Sequence, residues 1–324
     1  MFVVATWQII AEFALEVLSM TRNMHKTLSL SITGMLLTIF SQLCFAGEGA
    51  PTADELANTT YSGIEEGPVA LVEGRWEGEP YEEGGASRPS AGLVEDFALA
   101  GDLNGDGSKE AVVLLWQSSG GSGTFSYLAV VGRSDGGVKN LGTAEIGDRV
   151  KLRSGRIDDG SIILDVLQQG EGDAACCPTQ LASRTWSMVD GRLTEGEMEI
   201  TGTLSLDTLA GTEWVLTHLT RNDPLSEGAE VTLVFGEGQI SGKSACNRYS
   251  ADVEQGEAPA DLKIGMAIGT RMACPGELMD VEHKYLDALA HVTGFSFLAG
   301  KLALTWEKDG NWSTMLFTPV IKGL

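Results

Sequence analysis

The chain has few basic residues for its length. Only 22 lysines and arginines stand against 45 aspartates and glutamates in 324 residues, which gives a formal net charge of −23. The first 46 residues hold two basic and two acidic residues, so the rest of the chain carries the whole imbalance. Such a surface repels nucleic acid and anionic membrane headgroups, and we therefore expect neither as a partner.

Long apolar runs are also missing after Leu56, so we expect no membrane span in the mature chain. Before that point, His25 and Lys26 precede an apolar stretch from Leu28 to about Phe45, and small Ala46 ends it. This layout is typical of a secretory signal peptide over residues 24–46. It predicts a periplasmic or secreted protein.

Three further expectations concern the same end of the chain. Cys44 could mark a lipoprotein, but the preceding residues 41–43 (Ser-Gln-Leu) match a lipobox poorly, so lipidation is disfavoured. Residues 1–23 are interpreted as a start-site artefact, with a genuine N-terminal anchor as the alternative. Residues 47–67 are small, acidic and turn-rich, and are predicted to form a flexible linker.

Histidine is scarce, and the motifs of common enzymes are absent. Beyond residue 46 the histidines are His218, His283 and His291, and none lies in an H-E-x-x-H or triad-like motif. The triplet 242–244 (Gly-Lys-Ser) imitates the end of a P-loop, but Glu237 stands where that loop needs glycine. We therefore expect a protein that is not an enzyme.

The length suggests two domains, and the pattern of apolar residues changes near residue 207. Residues 68–200 alternate short apolar stretches with turn signals such as SDGG, DDG and VDG, which predicts antiparallel strands. From about Asp207 short strands continue, but a helix is predicted over 277–292. Its apolar stripe consists of Leu278, Val281, Tyr285, Leu289 and Val292.

Two or three strands are expected after Gly294, with hairpin turns at 299–300 and 309–310. The fold class is therefore mainly β. An antiparallel β-rich N-terminal domain is followed by an α+β C-terminal domain, in which one amphipathic helix packs on an antiparallel sheet.

Four ordered motifs in the second half carry a resemblance to a known family. They are GTEWVL at 211–216, SGKSACNRYSA around Cys246 and Asn247, TRMACPGELMDVEHKYLDAL from Thr270, and KLALT at 301–305. Residues 207–319 thus resemble a META domain, the family of HslJ-like proteins. In this chain Ala245 stands where such domains usually have glycine. The resemblance implies a small secreted or envelope domain, linked in general terms to stress tolerance, without an established catalytic activity. The β-rich half resembles, more weakly, a periplasmic segment that can precede such domains.

Four cysteines follow the predicted cleavage site, and an even number in an oxidising compartment indicates disulfides. A Cys246–Cys274 bridge would close a loop of about 28 residues and add roughly 3–4 kcal/mol of stability. A redox or metal pair is the alternative. Adjacent Cys176 and Cys177 can bridge only by distorting the peptide between them. We expect them to be oxidised to each other. The alternatives are two reduced, buried thiols or disulfide links to a partner chain.

Residues 101–113, GDLNGDGSKEAVV, place oxygen-bearing side chains at alternate positions. The candidate calcium ligands are Asp102, Asn104, Asp106, the Ser108 carbonyl and Glu110. Val113 occupies the position of the final EF-hand glutamate, and strands flank the loop, so it is not an EF-hand. The loop resembles the calcium loops of FG-GAP-type repeats. The alternative is a turn that satisfies its own backbone through side-chain hydrogen bonds.

We therefore expect an exported envelope protein with a non-enzymatic binding or stabilising role, linked to stress. Its partner would be an envelope protein or a small ligand. Two other classes stay open: an envelope hydrolase whose site no linear motif reveals, and a calcium-stabilised adhesion or assembly module.

Overall fold

The computed structural model describes residues 49–320 except Ser122, Asp135 and Ala175. The predicted signal peptide, the segment 1–23 and Cys44 lie outside the described residues. Within the described part, no helix is both long enough and apolar enough to cross a membrane.

Antiparallel strands dominate the N-terminal half. After helix α1 (Ala53–Ala57), β1 (Thr60–Tyr61) pairs with β2 (Val69–Ala70). The first large sheet contains, in chain order and spatial order alike, β3 (Arg75–Glu77), β4 (Ser90–Gly101), β5 (Glu110–Ser118), β6 (Phe125–Ser134) and β7 (Gly137–Asp148). The second contains β8 (Lys151–Asp158), β9 (Ser161–Gln168), β10 (Gln180–Val189), β11 (Arg192–Glu195) and β12 (Glu199–Thr203). In it, β10 pairs with β9 on one side and with both β11 and β12 on the other.

Strands β5 and β6 are buried on both faces. Val112 and Leu114 join Leu128 and Val130 in a core that they share with Trp186 of the second sheet. The intervening apolar residues of the two strands pack on the opposite face, against the N-terminal segment. This double burial explains why the sequence AVVLL is continuously apolar and does not alternate.

The N-terminal segment is an ordered part of this core, which differs from the flexible linker predicted for 47–67. Leu56 and Tyr61 are buried on the outer face of the first sheet. Helix α1 begins with a capping box in which Thr52 and Glu55 bond each other's backbone N–H groups. The Glu55 carboxylate also accepts two hydrogen bonds from Arg133 at 2.8 and 2.9 Å, which hold the pKa of Glu55 at about 2. The apolar residues within this acidic stretch were the signal for a packed segment.

Between the named strands of the described residues, four hairpins turn through pairs of residues with positive φ, as two-residue type I′ turns require. The pairs are Asp159-Gly160, Asp190-Gly191, Ala299-Gly300 and Asp309-Gly310. The structure thus confirms the hairpins predicted at 299–300 and 309–310. Aspartate and glycine suit these positions because both tolerate the left-handed region.

The C-terminal half is a ten-stranded antiparallel sheet that follows a short 3-10 helix (Leu206–Leu209). Its strands are β13 (Glu213–Thr220), β14 (Asp223–Pro224), β15 (Thr232–Phe235), β16 (Gln239–Ser244), β17 (Asn247–Gln255), β18 (Leu262–Ile264), β19 (Ile268–Gly269), β20 (Val292–Leu298), β21 (Lys301–Lys308) and β22 (Asn311–Pro319). They are ordered β18-β17-β16-β15-β13-β22-β21-β20, with β14 paired to β13 and β19 paired to β17. A bridge between Asp261 and Gly294 joins the two ends of this order.

Helix α2 (Gly276–Leu289) packs its apolar stripe into the core of this sheet. Val281, Tyr285 and Leu289 are buried as predicted, and Leu278 is partly buried. The helix ends three residues earlier than predicted, because Val292 already belongs to β20. The fold class, mainly β with one amphipathic helix on an antiparallel sheet, is confirmed.

The two halves share buried contacts. Leu167 and Leu181 of the second sheet belong to the same hydrophobic cluster as the C-terminal half. The Gly300 N–H donates to the Leu152 carbonyl at 3.1 Å, and the Arg153 guanidinium lies 5.3 Å from the centre of the Phe297 ring. Because the halves share these contacts, the domain boundaries 68–200 and 207–319 stay predictions from the sequence.

Truncating Leu56 tests whether the N-terminal segment is part of the core. Leu56→Ala should lower the free energy of unfolding by about 2–4 kcal/mol, because it leaves a cavity against the first sheet. Urea unfolding would measure the change. Val72→Ala is the matched control, since Val72 is 69% exposed and should cost less than about 0.5 kcal/mol. Equal effects of the two substitutions would mean that the segment does not stabilise the fold.

Candidate functional site

The predicted calcium ligands meet in the turn between β4 and β5. Asp102, Asn104 and Asp106 each accept hydrogen bonds from backbone N–H groups of the same turn. The donors are Gly105 and Gly107 to Asp102 at 2.7 and 3.0 Å, Asp106 to Asn104 at 2.9 Å, and Ser108 to Asp106 at 2.7 Å. The turn therefore has the self-satisfied form that the sequence offered as the alternative to a metal site.

Glu110 supplies a buried carboxylate beneath this turn. Its residue is 2% exposed, and it accepts from the Leu103 N–H at 2.8 Å and from the Asn104 amide at 3.2 Å. Burial, followed by the nearby negative charges of Asp106 and Asp102, raises the pKa of Glu110 despite the Leu103 hydrogen bond. Over the described residues, no three or more acidic, histidine or cysteine side chains are arranged to hold a metal ion. Calcium binding thus stays a prediction.

Both predicted cysteine pairs lie at disulfide distance. Cys246 and Cys274 have Cα atoms 6.0 Å apart and connect the β16–β17 turn to the start of helix α2. Cys176 and Cys177 lie together on the exposed β9–β10 loop, which disagrees with the alternative of two buried thiols. That Cys176 and Cys177 are oxidised to each other stays a prediction.

Asn247 is a buried hub beside the Cys246–Cys274 pair. Its side-chain oxygen accepts from the Thr270 hydroxyl and from the Met272 N–H, both at 2.7 Å. Its side-chain amide donates to Glu282 of helix α2 at 3.0 Å. A single side chain thus joins β17, the 270–272 segment and the helix.

The Glu282 carboxylate completes this cluster. One oxygen accepts from the Ser244 hydroxyl at 2.7 Å and from the Asn247 N–H at 2.8 Å, while the other accepts the Asn247 amide. Burial alone would raise the pKa of Glu282, but the hydrogen bonds from Ser244 and Asn247 outweigh it and lower the pKa. The carboxylate is held ionised and bonded on both oxygens, so the cluster stabilises the fold. Sequence reasoning had not singled out Glu282.

Two further sequence candidates lie in the same region. Lys243 and Ser244 of the P-loop-like triplet lie on β16, where Lys243 pairs with Glu230 at 2.7 Å and Ser244 bonds Glu282. His291 contacts the Asp287 carbonyl with Nδ1 at 2.7 Å. These contacts give all three residues structural partners.

A wide bulge in β4 creates a pocket that sequence reasoning did not anticipate. Leu93 pairs with Leu115 and Ala98 with Val113, so four residues of β4 stand opposite one of β5. The pocket has a volume of about 690 Å³. Its apolar lining comes from α1 and the two strands, and includes Leu56, Ala57, Leu93, Val94, Phe97 and Val113.

Charged side chains line the mouth of this bulge pocket. They are Glu73, Arg75, Glu95 and Asp96. Arg75 lies 3.9 Å from Glu95, and Asp96 accepts a 2.7 Å hydrogen bond from Lys301 of the C-terminal half. Asp96 also has a φ of 63°, which is uncommon for a residue other than glycine. An apolar interior beneath a mouth with three carboxylates suits a small ligand that is apolar at one end and cationic at the other.

The C-terminal half is an α+β unit whose single helix is fixed to its sheet by a carboxylate and a cysteine pair. A family model described as META domain matches residues 207–317. The C-terminal half of the chain therefore belongs to the META domain family, as its motifs predicted, and a β-rich region precedes it.

Solved structures also resemble part of this chain. An NMR structure of a protein from Burkholderia xenovorans is 30% identical over 36% of this chain and 87% of that chain, with a TM-score of 0.30. A search of curated proteins found no match to this chain.

Replacing Glu282 tests the cluster. Glu282→Gln should lower the free energy of unfolding by about 1–3 kcal/mol at pH 7, because an amide NH2 would face the Ser244 and Asn247 donors. The lowered pKa stabilises the fold above the ordinary value of 4.5, and this contribution is lost as the pH falls through the folded-state pKa. Denaturant unfolding between pH 7 and pH 3 should therefore show the difference from wild type shrinking in acid.

Glu277→Gln is the control for that experiment, since Glu277 is exposed in the first turn of the same helix. It should change stability by less than about 0.5 kcal/mol. A Glu282→Gln deficit that stays constant across the pH range would contradict the assigned ionised state.

Proposed function

We propose that this protein is exported and acts in the cell envelope by binding a small amphipathic cation, without catalysing a reaction on it. The observation that carries the proposal is the bulge pocket, with an apolar interior and three carboxylates at its mouth. A link to stress tolerance comes only from the META family resemblance and belongs to the same proposal.

Charge supports a cationic ligand. Glu73 forms no ion pair within 4.0 Å among the described residues, whereas Arg75 faces Glu95 and Lys301 is held by Asp96. The mouth therefore keeps one carboxylate in excess, and the chain as a whole has a net charge of −23. A cation with an apolar group would gain both electrostatic attraction and apolar burial.

Other features support binding over catalysis, and export over a cytoplasmic site. The carboxylates of Glu282 and Asp173 are occupied by structural hydrogen bonds; Asp173 accepts from the Gly170 and Thr179 N–H groups at 2.8 and 2.7 Å. These contacts favour a binding role over the hydrolase alternative. The two cysteine pairs at disulfide distance favour an oxidising compartment.

A series of three aromatic probes tests the binding proposal. Benzylammonium, benzyl alcohol and benzoate share an apolar ring but carry positive, zero and negative charge. Benzylammonium should bind most tightly and benzoate least, as measured by NMR titration, with shifts confined to residues near Leu93 and Phe97. Glu73→Gln with Glu95→Gln should weaken benzylammonium by about two- to fivefold and leave benzyl alcohol unchanged.

Glu79→Gln with Glu83→Gln is the matched control, because both residues are exposed and lie outside the pocket. It removes the same charge and should leave the order and the affinities unchanged. Equal binding of the three probes, or binding away from the bulge, would show that the pocket does not select cations.

A second candidate is the calcium-stabilised module, and the buried Glu110 favours it. The turn offers carboxylate and amide oxygens, the ligands that calcium prefers. Each such oxygen has two lone pairs, so one accepted N–H leaves it able to bind a cation. Asp102, Asn104, Asp106, the Ser108 carbonyl and Glu110 would hold the ion. It would neutralise the negative charges that, together with burial, raise the pKa of Glu110.

Calcium should then raise the melting temperature relative to chelator by about 2–5 °C at millimolar concentration. Asp106→Asn should reduce that shift, whereas Glu79→Gln should retain it. The shift should also fade as the pH falls, because the raised pKa of Glu110 favours its protonation. Identical melting curves in calcium, magnesium and chelator would show that calcium does not stabilise the protein.

A further inference from the structure

The end of the C-terminal sheet at β18 and β19 presents apolar and basic side chains to solvent. Met266, Ile268 and Met272 are 88%, 70% and 54% exposed. Residues 262–273, LKIGMAIGTRMA, contain Lys263 and Arg271 and no acidic residue, in a chain with 45 acidic residues. We call residues 262–273 the basic edge.

The part of the basic edge at β19 is open on its outer side, whereas β18 lies beside β20. Gly265 and Thr270 donate inward to the carbonyls of Asp252 and Arg248 on β17, at 2.8 and 3.0 Å. The bridge between Asp261 and Gly294 precedes this stretch, and no described strand pairs with the outer side of β19. An open edge with exposed apolar side chains favours pairing with a further strand.

Among the residues that the structure describes, the cations of the basic edge form no ion pair. Lys263 stands opposite Glu254 on β17, yet neither Lys263 nor Arg271 lies within 4.0 Å of a carboxylate among the described residues. Arg248, which is exposed on β17 next to Thr270, also has no carboxylate within 4.0 Å among the described residues. The strand that fits this edge should therefore be acidic and apolar.

The chain itself contains such a strand, β12, at the end of the second N-terminal sheet. All five residues of β12 are exposed, and it pairs with β10 on one side only among the described strands. The sequence leading into it, Glu197-Met198-Glu199-Ile200, alternates acidic and apolar residues, and Met198 and Ile200 are 47% and 59% exposed. A pocket of about 410 Å³ beside β12 includes Glu171 and Thr179 and suits a basic side chain. We call residues 197–203 the acidic edge.

We infer that the basic edge of one molecule pairs with the acidic edge of a second copy of this chain. Backbone hydrogen bonds between β19 and β12 would extend both sheets, as in β-strand addition. Arg271 would lie near Glu197 and Glu199, and Lys263 would add positive charge farther along the same edge. The exposed methionines and isoleucines would cover each other. The opposite charges offset, at this contact, the repulsion expected between two molecules of net charge −23.

Charge reversal and mixing test this pairing in the purified protein. One variant carries Lys263→Glu with Arg271→Glu, and a second carries Glu197→Lys with Glu199→Lys. By sedimentation velocity at low salt, wild type should self-associate, and each variant alone should be monomeric. An equimolar mixture should associate again, because each variant then meets an edge of opposite charge. Raising the salt from about 20 to 500 mM should weaken association at least tenfold, since the edges are exposed.

Lys139→Glu with Arg192→Glu is the matched control, since both residues are exposed and the charge change equals that of the first variant. It should associate as wild type does. Circular dichroism would establish that each variant is folded. The inference is overturned if wild type is monomeric at high concentration in low salt, if neither reversal weakens association, or if folded variants do not associate on mixing.

Discussion

The hydrogen bonds around the Glu282 carboxylate fix the helix of the C-terminal half to its sheet. The carboxylate receives Ser244 from the end of β16 and Asn247 from the start of β17, so one charged group closes the turn between two strands and anchors α2 above it. Asn247 extends the network to Thr270 and Met272, and the Cys246–Cys274 pair lies alongside. Removing the carboxylate would leave several buried donors without an acceptor, which is why the arrangement depends on this group.

Much of the fold could be predicted because its signals are local. The stripe of Val281, Tyr285 and Leu289 predicted the helix, and the pairs Ala299-Gly300 and Asp309-Gly310 predicted hairpins from the conformations that they favour. The packing of the N-terminal segment could not be predicted in this way. Leu56 and Tyr61 are buried in one cluster with residues of β5 and β6, which are 50 or more positions away, and the short acidic sequence around them resembles a linker.

In the candidate site, too, the local features could be predicted from the sequence and the non-local features could not. The turn at 102–110 was visible because its candidate ligands are neighbours in sequence, and the structure links Asp102, Asn104, Asp106 and Glu110 by hydrogen bonds within this turn. Glu282 and Asn247 are 35 residues apart, and the bulge pocket combines a helix, a turn and three strands. No local pattern marks such a site, because a bulge is defined by the register between strands and not by either strand alone.

The bulge in β4 has a consequence for how the sheet tolerates changes in chain length. Leu93 and Ala98 are five positions apart, whereas their partners Leu115 and Val113 are two apart and lie on the same face of β5. In a regular strand an odd difference would turn every later side chain to the opposite face. The looped-out residues absorb that difference. An insertion or deletion within 94–97 could therefore be accommodated locally, while the strand on either side keeps its inward and outward residues. Changes at the exposed Glu95 and Asp96 could then alter the size of the pocket, while Val94 and Phe97 stay packed against the core shared with the second sheet.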